Sequence, residues 1–300
     1  AGELAGGDTG NVLGRLKGTL DTQPILLCAH MDTVVPGENI NPIIRDGIIY
    51  SDGTSILGGD DKAGIAAILE AVRYIKENNL PHGDIEVAFT ICEENGMLGA
   101  KNMDYDWVKS KLAFVLDSNG DVGKVIVQAP AQIKIYSEIK GKAAHAGIAP
   151  EKGISAIQAA ARAIDKMRLL RIDEETTANI GVINGGSVTN IVCDKVKIDM
   201  EARSLKRSKV EAQAEHMLEC MDRACAEYGA VHEAEQYLNY PEFSISKDSE
   251  AIKLVAAGMN RIGIEASFES TGGGSDTNIM SGKGLQAVTL AIGMTNVHTT

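Results

Sequence analysis

KAGIAAILEAVRYIKE (62–77) lies between two apolar runs, ILLCA (25–29) and EVAFTIC (86–92). Its Ile65, Ile68, Leu69, Val72 and Ile75 recur at helical spacing along one face, and Asp60 and Asp61 precede it as candidate caps. The flanking runs are almost continuously hydrophobic, as strands buried on both faces of a sheet must be. Strand, helix, strand in this order predicts an α/β fold, a mainly parallel sheet with flanking helices. LAFVL (112–116) adds a further buried strand. A helix over 249–262 and the run LQAVTLAI (285–292) bring the same style back late in the chain.

Between these parts the pattern changes. IKIYSEIK (133–140) and VKIDMEAR (196–203) alternate apolar and polar residues, the mark of half-exposed antiparallel strands. Helices are expected at 154–169 and 207–228, the second with Val210, Ala214, Met217, Met221 and Ala224 in line, and a strand at 231–239. The order β-α-β-β-α-β is that of a ferredoxin-like α+β sandwich. The expected organisation is therefore a discontinuous α/β domain, 1–129 and 241–300, carrying an inserted domain at 130–240.

Acidic residues (41) outnumber basic ones (29), for a net charge of −12. That balance argues against nucleic acid and anionic membranes as partners and suits cation binding. No apolar run approaches the roughly 20 residues that span a bilayer. Cys28, Cys92, Cys193, Cys220 and Cys225 are odd in number and form no C-x-x-C pair. They read as reduced thiols of a cytoplasmic protein.

FTICEENG (89–96) poses the functional question, because two adjacent glutamates at a strand end raise each other's cost of ionising. Other elements end the same way. ILLCA runs into His30-Met31-Asp32, LAFVL into Asp117, LQAVTLAI is soon followed by His298, and the loop before the first helix carries Asp60-Asp61. In open α/β sheets the functional crevice lies beyond the carboxyl ends of the strands. Histidine and carboxylate without cysteine suit zinc, manganese or cobalt. So many candidates exceed one tetrahedral site and suggest two ions about 3.5–4 Å apart sharing a carboxylate. One glutamate can then bind a cation while its neighbour acts as a base on water.

The motifs H-M-D (30–32), G-G-D-D-K-A-G (58–64), E-E-N-G (93–96), G-K-A-A-H-A-G (141–147), E-A-R-S (201–204), G-G-G-S-D-T-N (272–278) and N-V-H-T-T (296–300) occur in one order along the chain. In this the chain resembles peptidase T and its relatives, in the di-zinc family that also holds aminoacylases, glutamate carboxypeptidases and a desuccinylase. The resemblance implies a tripeptide aminopeptidase using two divalent ions, zinc first, with cobalt or manganese as substitutes. It implies that Asp60 bridges the ions, with His30 and Asp117 on one and Glu94 and His298 on the other. Glu93 would be the general base and Asp32 the partner that orients His30. The inserted domain would be a lid through which a homodimer forms, bringing His145 to the oxyanion, with Asn190 and Arg203 as substrate anchors. Gly272, Gly273 and Gly274 would line the pocket. Members of the family have a helix and strand before the position of Ala1 and a helix after the last motif, so a trimmed sequence is expected.

His82, His216 and His232 read as solvated surface residues, and Arg203 as lying on the polar face of its strand. No G-x-x-x-x-G-K-[ST], G-x-S-x-G or H-E-x-x-H motif occurs, which removes nucleotide, serine-hydrolase and zincin readings. Two alternatives stay open. One is an N-acyl amino acid hydrolase or carboxypeptidase with the same centre; the other is a non-catalytic metal-binding relic, against which the intact Glu93 speaks.

Overall fold

The computed structural model describes residues 2–300, which form two compact units: the residues up to Ala129 together with Phe243–Thr300, and Pro130–Glu242. In chain order the first unit begins with β1 (Val12–Leu16), β2 (Ile25–His30), the hairpin β3 (Ile43–Arg45) and β4 (Ile48–Tyr50), and α1 (Gly59–Glu77). There follow β5 (Ile85–Thr90), α2 (Leu98–Lys101), β6 (Leu112–Asn119) and β7 (Lys124–Ala129). The second unit holds β8 (Ala131–Lys140), α3 (Ala156–Lys166), β9 (Leu170–Arg171), β10 (Thr176–Gly185), β11 (Lys195–Ser204), α4 (Arg207–Tyr228) and β12 (Val231–Tyr240). The chain then returns with β13 (Phe243–Ser244), α5 (Glu250–Arg261), β14 (Ser267–Ser270), α6 (Asp276–Gly282) and β15 (Gln286–Met294).

The first unit is a mixed sheet in the order β1-β5-β2-β6-β15-β7-β13, with β14 pairing β7. Its centre, β5-β2-β6-β15, is parallel, and antiparallel β1 and β7 flank it. Buried on both faces, β6 sends Ala113 and Val115 into one apolar cluster with Met280 of α6, and Leu112 and Phe114 into another with Ile252 and Val255 of α5. That two-sided burial is why the central strands read as unbroken hydrophobic runs. Helix α1 comes so near β6 that a Cβ on Gly64 would lie 2.4 Å from the Leu116 carbonyl oxygen, which only glycine allows. Ile68 is the buried centre of α1, but Leu69 is half exposed, so the apolar face is narrower than its spacing suggested.

One charge sits inside the sheet. Glu86 of β5 is fully buried, with Arg15 of β1 directly opposite. Arg15 donates to its carboxylate through Nε at 3.0 Å and through Nη2, and the Ser110 hydroxyl donates at 2.7 Å. Burial works against ionisation, but these donors and the amides of Lys109 and Ser110 hold the carboxyl below its ordinary value. A buried carboxylate is tolerated when its lone pairs are filled in this way.

The second unit is a five-stranded antiparallel sheet, β12-β8-β11-β10-β9. Its first four strands have the ferredoxin-like arrangement, and α3 and α4 cover one face. Val196, Ile198, Met200 and Ala202 of β11 are buried toward the helices, leaving Glu201 and Arg203 on the other side. His232 is not solvated: its side chain is only 6% exposed, with Nδ1 2.7 Å from Asp222 Oδ1 of α4 and Nε2 3.1 Å from Ser137 Oγ. His216 is half buried and accepts the Arg168 amide at 3.1 Å, and His82 contacts the Gly83 carbonyl oxygen. The local sequence around His216 and His232 carried no trace of partners lying 10 to 95 positions away.

Candidate metal centre

Each parallel strand delivers a polar side chain at its carboxyl end. His30 is the last residue of β2, Asp117 lies near the end of β6, and the E-E-N-G turn follows β5. That turn opens on Cys92 at φ 55° and closes on Gly96 at 88° and Met97 at 60°. His298 follows β15 at φ 62°, a region that costs a residue with a Cβ roughly 1–2 kcal/mol and is characteristic of functional positions.

Asp60 is the hub. Its Oδ1 lies 3.0 Å from His30 Nε2 and its Oδ2 3.2 Å from His298 Nε2. On one side Asp117 Oδ1 is 3.7 Å from His30 Nε2, and on the other Glu94 Oε1 is 2.8 Å from His298 Nε2. Donor atoms thus gather in two groups that share Asp60, His30–Asp60–Asp117 and Asp60–Glu94–His298, each within 4.8 Å; Glu93 joins His30 and Glu94 in a third. Two ligands about 2.0–2.2 Å from one ion stand roughly 3–3.5 Å apart, close to the separations seen. Glu94 Oε1 is buried with no hydrogen bond among the described residues despite its short approach to His298, as expected of an atom that shares a cation with that imidazole. The donor set of imidazole nitrogen and carboxylate oxygen fits zinc, cobalt or manganese.

Two aspartates brace this cluster. His30 Nδ1 lies 2.9 Å from the Asp32 carbonyl oxygen; donation there leaves the Nε2 lone pair facing the cluster. The Asp32 carboxylate accepts the amides of Glu93 and Glu94 at 3.0 and 3.2 Å, fixing the paired glutamates by their backbone. Asp61, fully buried, accepts the His30 amide at 3.1 Å and the Gly64 amide at 3.2 Å, so it caps the regular part of α1 and pins the end of β2 at once.

The electrostatics record the crowding. Burial raises Glu93 well above its ordinary value, and Asp117 and Asp276 push it further. Burial lifts Asp117 to about 7 against the pull of His30, and Asp61 to about 9 with help from Asp117. Burial would lower His30, but its bonds to Asp117, Asp32 and Asp60 drive it far upward. Asp60 and Asp32 stay low despite burial, held by His30.

The cluster lines a cleft of about 240 Å³ whose other wall is Thr271, Gly273, Gly274 and Ser275; Gly272 sits just outside the lining. The Gly273 amide donates to Thr271 Oγ1 at 3.3 Å. His145, Asn190 and Arg203 belong to the second unit. His145 is exposed, bridges Ile191, and accepts the Gly147 amide on Nδ1 at 3.2 Å, while the Asn190 carbonyl oxygen accepts the Ala146 amide. Arg203 Nε donates to Glu201 Oε1 at 2.8 Å. Sequence reasoning missed the bracing role of Asp61, read only as a cap, and missed Asp276 and Thr90 altogether. G-G-G-S-D-T-N was read for its glycines, yet Asp276 is 2% exposed and accepts the Thr90 hydroxyl at 2.5 Å.

A family model described as a peptidase dimerisation domain matches residues 131–229, and one described as peptidase family M28 matches 11–152. Protein YqjE of Bacillus subtilis is 46% identical over 99% of this chain and 80% of its own length. The crystal structure of aminopeptidase PepT from Bacillus cereus is 47% identical with a TM-score of 0.89, over 99% of this chain and 80% of that one. A tripeptidase from Staphylococcus aureus is 41% identical with a TM-score of 0.92, over 96% and 78%.

The raised carboxyls carry a stability signature. An acid whose folded value exceeds its unfolded one near 3.8 holds its proton more tightly when folded, so rising pH through that window destabilises the metal-free protein. Cations held by His30, Asp60 and Asp117 would keep Asp117 ionised and balance its charge. The gap in melting temperature between metal-loaded and chelator-treated protein should therefore be wider at pH 8 than at pH 6. A gap that stays constant or narrows contradicts this electrostatic picture.

Proposed function

The chain belongs to the peptidase T-like family of metallopeptidases, and from that membership and its own site we propose a metal-dependent aminopeptidase that releases the N-terminal residue of tripeptides. The observation that carries the reading is the pair of donor groups sharing Asp60, with Glu93 beside them and tied to the same scaffold by Asp32. An acylase or carboxypeptidase would use a similar centre, but the similar proteins named as aminopeptidase and tripeptidase do not favour it. The intact Glu93 argues against a binding relic.

We assign His30, Asp60 and Asp117 to one divalent ion and Asp60, Glu94 and His298 to a second, with zinc the first choice for this donor set. When bound, such ions polarise the scissile carbonyl and make water acidic enough to attack at neutral pH. Glu93 takes the proton of the attacking water on its carboxylate and passes it to the leaving amine nitrogen as the C–N bond breaks. Its burial suits that work, because a base that holds its proton more firmly is a stronger base. Asp32 keeps Glu93 and Glu94 in register with His30 through two amide hydrogen bonds. Gly273 and Gly274 present side-chain-free backbone to the substrate, and Gly272 leads into that wall. In the second unit, His145 is assigned to the developing oxyanion, and Asn190 and Arg203 to anchoring the peptide. We place the enzyme in the cytoplasm, because all five cysteines are free thiols. Among the described residues no helix is long and apolar enough to cross a membrane.

The second unit also supports a homodimer. β9 pairs only with Thr177 and Ala178, so the outer edge of β10 beyond them has no strand partner among the described residues. Val182 and Ile183 on that strand and Ile157 on α3 are about half exposed. An unpaired edge with apolar side chains is a ready surface for a second copy.

Turnover of a tripeptide tests the chemistry. Glu93→Gln should lower kcat by about 10²–10⁴-fold with metal content unchanged, and Glu94→Gln should lose metal as well. The reverse pattern would exchange the two roles. Acetylating the peptide amine should abolish turnover, whereas faster cleavage of the acetylated peptide would favour an acylase. For assembly, sedimentation should give twice the chain mass, and Ile183→Lys should reduce it to one; a dimer indifferent to that change uses another surface.

A further inference from the structure

Asp276, buried directly behind the Ser275 end of the cleft wall, is an acid that the mechanism leaves without a task. It is the first residue of α6, directly after the Ser275 cap that ends the glycine wall. Its Oδ2 accepts the Thr90 hydroxyl at 2.5 Å, across 186 positions of sequence, while its Oδ1 is buried with no hydrogen-bond partner among the described residues. A half-satisfied buried carboxylate is a costly choice for packing alone, since a neutral residue would fill the same space more cheaply.

What it holds explains the choice. Thr90 ends β5, is fully buried, and is paired in register with His30, the last rung of the β2–β5 ladder. Its carbonyl oxygen accepts the Met31 amide at 2.8 Å. Beyond it the chain is pinned again, where the Ile91 amide donates to Asn11 Oδ1 at 3.2 Å, and the E-E-N-G turn begins. The Thr90–Asp276 bond therefore ties the glycine wall to the point where the chains carrying His30 and Glu93 diverge.

We propose that Asp276 is a positioning residue that acts through Thr90 to set the placement of Glu93 and His30 against the Gly273–Gly274 wall. It touches neither substrate nor cation and contributes to the chemical step by fixing the span across which the substrate is seated. Misplacement of about 1 Å can cost a hundredfold in rate, so a single strut at this spot suffices to matter. The inference rests on the peptidase reading.

A double-mutant cycle on tripeptide hydrolysis, in buffer saturated with zinc, tests it. Wild-type turnover comes first, since its absence would sink the peptidase reading independently. Asp276→Ala and Thr90→Val should each lower kcat at least tenfold with KM within about threefold. The double variant should be no slower than the slower single one, because both remove the same strut. Thr90→Ser, which restores the hydroxyl, should recover most of the loss. If Asp276→Ala does not fold, Asp276→Leu, of similar size but with no acceptor for the Thr90 hydroxyl, takes its place in the cycle, with the same expectation of non-additivity. A second readout needs no activity: hydrogen exchange of the Met31 amide in metal-free protein should accelerate in both single variants. Multiplicative losses in the cycle, a loss confined to KM, or unchanged kcat would each overturn the proposal.

Discussion

Mutual repulsion among buried carboxylates is the constraint from which the rest of the catalytic unit follows. Asp32, Asp60, Asp61, Glu93, Glu94, Asp117 and Asp276 converge on the carboxyl ends of four parallel strands, and His30 and His298 stand among them as imidazoles. Two unit charges 4 Å apart repel by about 4 kcal/mol at an effective dielectric constant of 20. Such a cluster is held together by the sheet and asks for cations of more than one charge. The raised carboxyls of Glu93, Asp117 and Asp61 are that demand in another form.

Within this crowd each acid has a separate means of support, and the supports define the roles. Asp60 has an imidazole at each oxygen, Asp32 is filled by two amides, and Asp61 by two others. Glu94 has an oxygen that no donor satisfies, and Glu93 is surrounded by like charge. Glu94 and Glu93, so placed, are assigned to binding a cation and moving a proton. Glu86 makes the contrast: fully buried in β5, the strand that leads into the turn carrying the base, it is surrounded by donors and is purely structural.

Much of this was legible in the sequence because the central strands are buried on both faces and so announce themselves as ILLCA, EVAFTIC and LAFVL. Chemistry placed just after such a run is visible without coordinates, which is why His30, Glu93, Glu94 and Asp117 could be named. The alternation of β8 and β11 was legible for the opposite reason, one face wet and one dry. The short elements β1, β3, β4 and β14 carry too few residues for a period to show. Asp61, Thr90 and Asp276 were missed because their importance lies in hydrogen bonds spanning 31 and 186 positions. His232 was misjudged likewise, since Ser137, against which it is buried, lies 95 positions away.

The central claim is that one carboxylate serves both halves of the centre. Elemental analysis of metal per chain in Asp60→Ala, after zinc loading and gel filtration, tests it most directly against wild type. The account predicts close to two ions in wild type and loss of both in the variant, with the fold retained at low temperature. A variant that keeps one ion at full occupancy would show that Asp60 belongs to a single site and would contradict the shared-carboxylate centre.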